Sequence, residues 1–191
     1  MESVVMPVVA CFPFAPKGLA TRRTTNMTME PALQQKVDDA FMQEAILDAA
    51  RAASRGEVPV GAVLVNDHVI IARGGNARER EQDPTAHAEL TVIREAAHTL
   101  QSWRLTGTTL YVTLEPCLMC AGAMLLARIP RLVFGTWDPK AGACGSCFSV
   151  HENAQLNHRI AVTQGIREHE CRDMLQQFFQ QVRQNRLAAI H

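Results

Sequence analysis

An α/β sandwich, with helices covering a mixed five-stranded sheet, is what this sequence predicts. Three observations carry the prediction. Apolar residues recur at helical spacing in some segments and as short β-branched runs in others. The two kinds follow one another as α-β-β-α-β-α-β-β-α, an order that suits one sheet layered between helices. The chain has 191 residues, enough to bury a sizeable core, and shows no internal repeat and no second domain.

The elements can be justified in order. The folded part is expected to begin near Val37, with Met42, Ile46, Ala49 and Ala53 at helical spacing. Asp38 and Asp39 lie early and Arg51 and Arg55 late, as a helix dipole prefers, and Gly56 is a natural stop. Val58 to Val65 and Val69 to Ala72 read as two buried strands joined by a turn at Asn66-Asp67. A polar loop from Gly74 to Gln82 follows. Asp83 then looks like an N-cap with Pro84 at the first helical position, opening a helix whose stripe is Ala86, Leu90, Ile93, Ala97 and Leu100. Thr108 to Leu114 is a strand, Leu118 to about Ala127 a helix, Arg131 to Thr136 and Arg159 to Thr163 two more strands. Cys171, Leu175, Phe178 and Val182 mark a last amphipathic helix, ending in Arg183 and Arg186.

Two short stretches carry chemistry. His87-Ala88-Glu89 is an H-x-E, and Pro116-Cys117-Leu118-Met119-Cys120 is a P-C-x-x-C. His87, Cys117 and Cys120 are good zinc ligands, and three protein ligands leave a fourth tetrahedral position for water, the mark of a catalytic zinc site. Glu89 need not touch the metal; it can move protons between that water and a substrate. The combination is a signature of the zinc nucleobase deaminases. A redox reading of the Cys pair leaves His87 and Glu89 unexplained, and a closed structural zinc would need a fourth Cys or His at ligand spacing. Two residues apart, His87 and Glu89 would diverge in mid-helix, so they converge only if the metal sits off the helix's N-terminal end. Cys117 and Cys120 share one face of a first turn, where thiolates are favoured.

Composition narrows the class. Lys plus Arg and Asp plus Glu both number 19, a balance that disfavours broad nonspecific nucleic-acid binding while allowing a local basic patch. Two of the six cysteines belong to the motif, so no disulfide framework is expected, and a thiolate site suits a reducing compartment, the cytoplasm. Residues 1–35 read as an N-terminal extension without a fold, with Met27 or Met29 a natural beginning; an organellar leader is the alternative. The apolar run from Val4 to Phe14 is broken by Pro7 and too short to span a membrane.

From about Val37 to Asn185 the chain resembles the bacterial tRNA-specific adenosine deaminases. The resemblance rests on V-P-V-G-A-V-L-V at 58–65, D-P-T-A-H-A-E-L at 83–90 and T-L-Y-V-T-L-E-P-C-L-M-C-A-G-A-M at 109–124, with a looser match over 131–143 and at 156–159. It implies a cytidine-deaminase-like three-layer sandwich over residues 36–191 and one zinc per subunit of a homodimer. It also implies a tRNA anticodon stem-loop as partner, with neither DNA nor membrane. The activity implied is hydrolytic conversion of the wobble adenosine of an arginine tRNA to inosine, by a zinc-activated hydroxide with Glu89 as shuttle. Asn76 is similar to the family's base-binding Asn, Asp138 lies where the family contacts the ribose, and Lys140 and Asn157 match RNA-contacting positions. Asn76 beside Gly74-Gly75 could equally cap a turn, and Asp138-Pro139 could only initiate one. The last helix has two arginines and no lysine, where the family is often strongly basic. Cys144 and Cys147, spaced as a second pair, are read as incidental thiols. Two other functions remain open: a zinc deaminase of a free base or nucleoside, and a zinc-bound RNA-binding module, against which an intact Glu89 counts.

Overall fold

The computed structural model describes residues 30–188. Eleven elements follow one another: α1 (Pro31–Ala53), β1 (Gly61–Asn66), β2 (Val69–Gly75), α2 (Arg78–Glu81), α3 (Ala88–Thr99), β3 (Thr108–Leu114), α4 (Leu118–Ala127), β4 (Arg131–Thr136), a 3-10 turn (Val150–Glu152), β5 (Ala161–Gln164) and α5 (Glu168–Ala188). The strands form one mixed sheet in the order β2-β1-β3-β4-β5. β1 pairs antiparallel with β2 and β3, whereas β4 runs parallel to both its neighbours. The antiparallel pair β1–β2 closes through Asp67 and His68, both at positive φ, the geometry that matches strand twist in a two-residue turn.

Two cores flank the sheet, sorted by the period of two along each strand. Val63, Val65, Tyr111 and Val133 point to the side of Met42, Ala45 and Ile46 on α1. Ala62, Leu64, Leu110, Val112, Leu132 and Phe134 point to the opposite side, against Val92 and Ala96 of α3 and Ala121 and Met124 of α4. Helix α1 lies so close to the sheet that a Cβ at Gly61 would overlap the backbone of Ala45 and Ala49. The three-layer sandwich expected from the sequence is therefore the one observed. None of the described helices is long and apolar enough to cross a membrane.

Several boundaries differ, each for a local reason. Helix α1 starts at Pro31, inside the expected extension, with proline in the first helical turn. Its opening turns are largely exposed and carry no apolar stripe, which hid them from periodicity; the rest of the extension lies outside the described residues. Asp38 is consequently not an early dipole partner but a buried residue of a later turn. The segment Arg78–Glu81, expected as loop, forms a single helical turn. Asp83 does not cap α3: its carboxylate accepts from the N–H and the hydroxyl of Thr85, both at 2.7 Å, and so makes a tight turn ahead of the helix. Helix α3 begins at Ala88, and the position preceding it is His87.

Candidate active site

The site lies where β3 ends and α3 and α4 begin. His87 and Cys117 occupy the equivalent places at the two helix starts, both with extended backbone and neither using its side chain as a cap. Freed from capping, the two side chains turn toward each other. Cys120, in the first turn of α4, completes the group. His87 Nδ1 is 3.8 Å from Cys117 Sγ and 3.6 Å from Cys120 Sγ, and the three donor atoms lie within 4.8 Å of one another. Tetrahedral zinc with ordinary Zn–N and Zn–S lengths would separate nitrogen from sulfur by about 3.6 Å. The donor set and its spacing fit such an ion. Among the described residues no other group of His, Cys, Asp and Glu could hold a metal.

Glu89 is one residue inside α3 and only 3% exposed, and its Oε2 has no hydrogen-bond partner. Burial, ahead of every other influence, pushes its carboxyl up to about 7. A buried acid with one free oxygen beside a metal-ligand cluster is poised to exchange protons near neutral pH. The thiols respond to each other. The hydrogen bond from Cys120 holds Cys117 down to about 3 against the effect of burial, while Cys120 is itself pushed up, first by Cys117 and then by burial. A bound divalent cation would deprotonate both thiols.

The remaining sequence-predicted residues sort into three groups. Asn76 stands at the end of β2 and uses Oδ1 to accept from the N–H of Ala88 at 3.0 Å, which leaves its amide NH2 free. It therefore caps the catalytic helix and lines a cleft of 440 Å³ with Arg78, Phe178, Phe179 and Arg186. Asp138 accepts at Oδ1 from the N–H groups of Lys140 (3.0 Å) and Ala141 (3.3 Å), so it does shape a turn. Lys140 lines a neighbouring cleft of 560 Å³ together with Trp137, Arg172, Phe179 and Arg183. Asn157 is exposed between the 3-10 turn and β5 and lines neither cleft. Arg183 and Arg186 of α5 thus face the two clefts from one helix. Cys144 is buried and Cys147 exposed; both are free thiols, and neither joins the metal-ligand group.

Two residues escaped sequence reasoning. Glu57 and Glu115 are each 2% exposed; Glu57 takes backbone N–H groups from α2, and Glu115 takes them from the loop after β4. The signal was present only faintly: Glu115 is an acid ending an apolar strand, directly before Pro116-Cys117.

A family model described as the cytidine and deoxycytidylate deaminase zinc-binding region matches residues 35–136. The tRNA-specific adenosine deaminase of Bacillus subtilis (strain 168) is 50% identical over 152 residues, covering 80% of this chain and 94% of that protein. The tRNA-specific adenosine deaminase of Haemophilus influenzae is 46% identical over 155 residues, 81% of this chain and 90% of that one. Among solved structures, one from a study of A-to-I editing by tRNA:A34 deaminases at the wobble position superposes with a TM-score of 0.69. It is 47% identical and covers 71% of this chain and 99% of its own.

Proposed function

Given that the chain belongs to the zinc-binding cytidine and deoxycytidylate deaminase family, and within it to the tRNA-specific adenosine deaminases, we propose that it converts the wobble adenosine of a tRNA anticodon, that of an arginine tRNA, to inosine by hydrolysis. The observation that supports the chemistry best is the unpartnered, buried Oε2 of Glu89 beside the His87, Cys117 and Cys120 cluster. When bound, one zinc per subunit supplies an activated water as nucleophile near neutral pH. Glu89 moves the protons: one to ring N1 of adenine, which makes C6 electrophilic, and one to the exocyclic amine, which leaves as ammonia. The free NH2 of Asn76 donates to the edge of the base, Asp138 contacts the ribose beside it, and Lys140 and Asn157 contact the RNA.

C6 cannot be reached in a stacked base, so the nucleotide is extruded; a base in an anticodon loop is cheaper to flip than a paired one. The two clefts along α5 suit such a loop, with aromatic faces from Trp137, Phe178 and Phe179 and cations from Lys140, Arg172, Arg183 and Arg186. The enzyme works as a cytoplasmic homodimer. Supporting the pairing of two copies, α4 leaves Leu118, Met119 and Leu126 exposed, the last by 74%, with open space over Gly122 between them.

The test is to incubate the zinc-loaded protein with mixed tRNA and read A-to-I changes at position 34 by sequencing, alongside free adenosine, cytidine, cytosine and guanine. Inosine confined to wobble positions is expected. Comparable turnover of a free base or nucleoside would replace this reading with that of a small-molecule deaminase.

Base recognition and RNA grip should separate by mutation. Asn76→Ala loses a buried polar contact, about 5- to 150-fold, and should lower mainly the single-turnover rate at saturating stem-loop. Arg183→Ala with Arg186→Ala should instead raise the dissociation constant and flatten its salt dependence, because phosphate contacts release counterions. A normal saturated rate in Asn76→Ala would leave Asn76 as the cap of α3 alone.

A further inference from the structure

The segment from Trp137 to Ser149 carries Asp138 and Lys140 yet contains no helix or strand, only isolated bridges at Gly142 and Cys144. Its shape comes from Glu115. The Glu115 carboxylate accepts from the backbone N–H of Asp138 at 3.0 Å, Cys144 at 2.9 Å and Ser146 at 3.0 Å, and from the Ser146 hydroxyl. Both oxygens are engaged, and all four donors are neutral. Gly142 lies so close that a Cβ there would overlap the carboxylate. On the other side of Glu115 the chain continues into the metal-ligand helix, and the same loop is tied there as well. The N–H of Ala143 donates to the carbonyl of Pro116 at 2.9 Å, and Cys117 bridges to Gly142.

A carboxylate is an expensive way to fill a core, and a buried ion is tolerated only when its lone pairs are satisfied. Four donors converging from one loop satisfy this one. Glutamine, of nearly the same volume, could not substitute, because its NH2 would face N–H groups at one end. Glu57 repeats the device elsewhere: it accepts from the N–H of Glu79 at 3.2 Å and of Arg80 at 2.8 Å, fixing the turn that follows Asn76.

We infer that Glu115 is a positioning residue for substrate, holding Asp138 and Lys140 in register with the zinc-ligand cluster through the loop it anchors. This rests on the site being that of a tRNA adenosine deaminase. The loop itself can be read without activity, by hydrogen exchange at the amides of Asp138, Cys144 and Ser146 in the zinc-loaded protein. Glu115→Gln should raise exchange at all three by about tenfold or more while one zinc per chain is retained. Glu115→Asp, which keeps two acceptor oxygens, should recover part of that protection. Where Glu115→Gln does not fold, Gly142→Ala crowds the carboxylate from the other side and should have the same effect on the amides.

On an anticodon stem-loop, Glu115→Gln should lower the saturated single-turnover rate about tenfold or more. Adding Asp138→Ala should cost little further, because the two substitutions remove one function. Unchanged exchange in the variants would overturn the inference, as would losses from Glu115→Gln and Asp138→Ala that multiply. If the wild type leaves the stem-loop unmodified, the functional reading fails, and the exchange measurement still decides whether Glu115 holds the loop.

Discussion

Glu89→Ala, and its isostere Glu89→Gln, are expected to lose deamination by about 10³-fold or more while keeping zinc, since general acid–base catalysis of this kind is worth about 10²–10⁴-fold. In the proposed mechanism His87, Cys117 and Cys120 hold the metal and Glu89 alone moves protons, so the loss should fall on the chemistry and not on the metal. Neither variant should unfold the protein. Glu89 is buried with an unpartnered Oε2, so relief of its desolvation cost offsets the loss of the bond its carboxylate shares with Cys120. An equal or slightly raised melting temperature is the expected accompaniment. Metal analysis and single-turnover kinetics on the same preparation check this. Zinc lost together with activity would make Glu89 a ligand and end its assignment as shuttle.

Arg131→Ala should produce the largest loss of stability, about 3 kcal/mol, the scale for a buried ion pair deprived of one partner. Asp38 is 2% exposed on α1, and Arg131 on β4 meets it with two parallel bonds of 2.8 and 2.6 Å. The Tyr111 hydroxyl on β3 donates to the same carboxylate at 2.9 Å, and Arg131 reaches Thr163 on β5 at 3.1 Å. One cluster therefore ties a helix to three strands.

The sign of its pH dependence follows from Asp38. Burial alone would raise its carboxyl, but the bonds from Arg131, Gln34 and Tyr111 together hold it below the usual carboxylate range. A group depressed in the folded state contributes fully above its unfolded value, near 3.9, and loses that contribution as pH falls through the folded one. Denaturant melts of wild type and Arg131→Ala should thus differ most at neutral pH and converge on acidification below about pH 4. A constant gap across that range would mean that the arginine stabilises by packing alone.

Much of the fold was legible because its signals are local. Short apolar, β-branched runs in Val58 to Val65 and Thr108 to Leu114, and helical spacing in α1 and α3, each need only a few neighbouring residues to be read. Where reading failed, a side chain had chosen a partner that local pattern could not reveal. Asp83 resembled a cap but spends its carboxylate on Thr85. Asp38 resembled a dipole partner but pairs with a residue 93 positions away. Asn76 was open between turn cap and base contact, and its Oδ1 takes the N–H of Ala88, twelve positions on, at the start of α3.

The sequence by itself determined the sandwich and pointed to three candidate ligands with Glu89 beside them. Those follow from residue chemistry and from spacings within single turns. Only the tertiary structure decided that His87 and Cys117 both stand at helix starts, bringing side chains 30 positions apart to 3.8 Å. It alone revealed that Glu57 and Glu115 each accept from backbone N–H groups distant in sequence, and that Arg183 and Arg186 line two clefts along α5 whereas Asn157 lines neither. The physical reason is the same throughout: a ligand declares itself by its own chemistry, but a buried carboxylate bound to backbone N–H groups has partners of no particular residue type, and only folding brings them together.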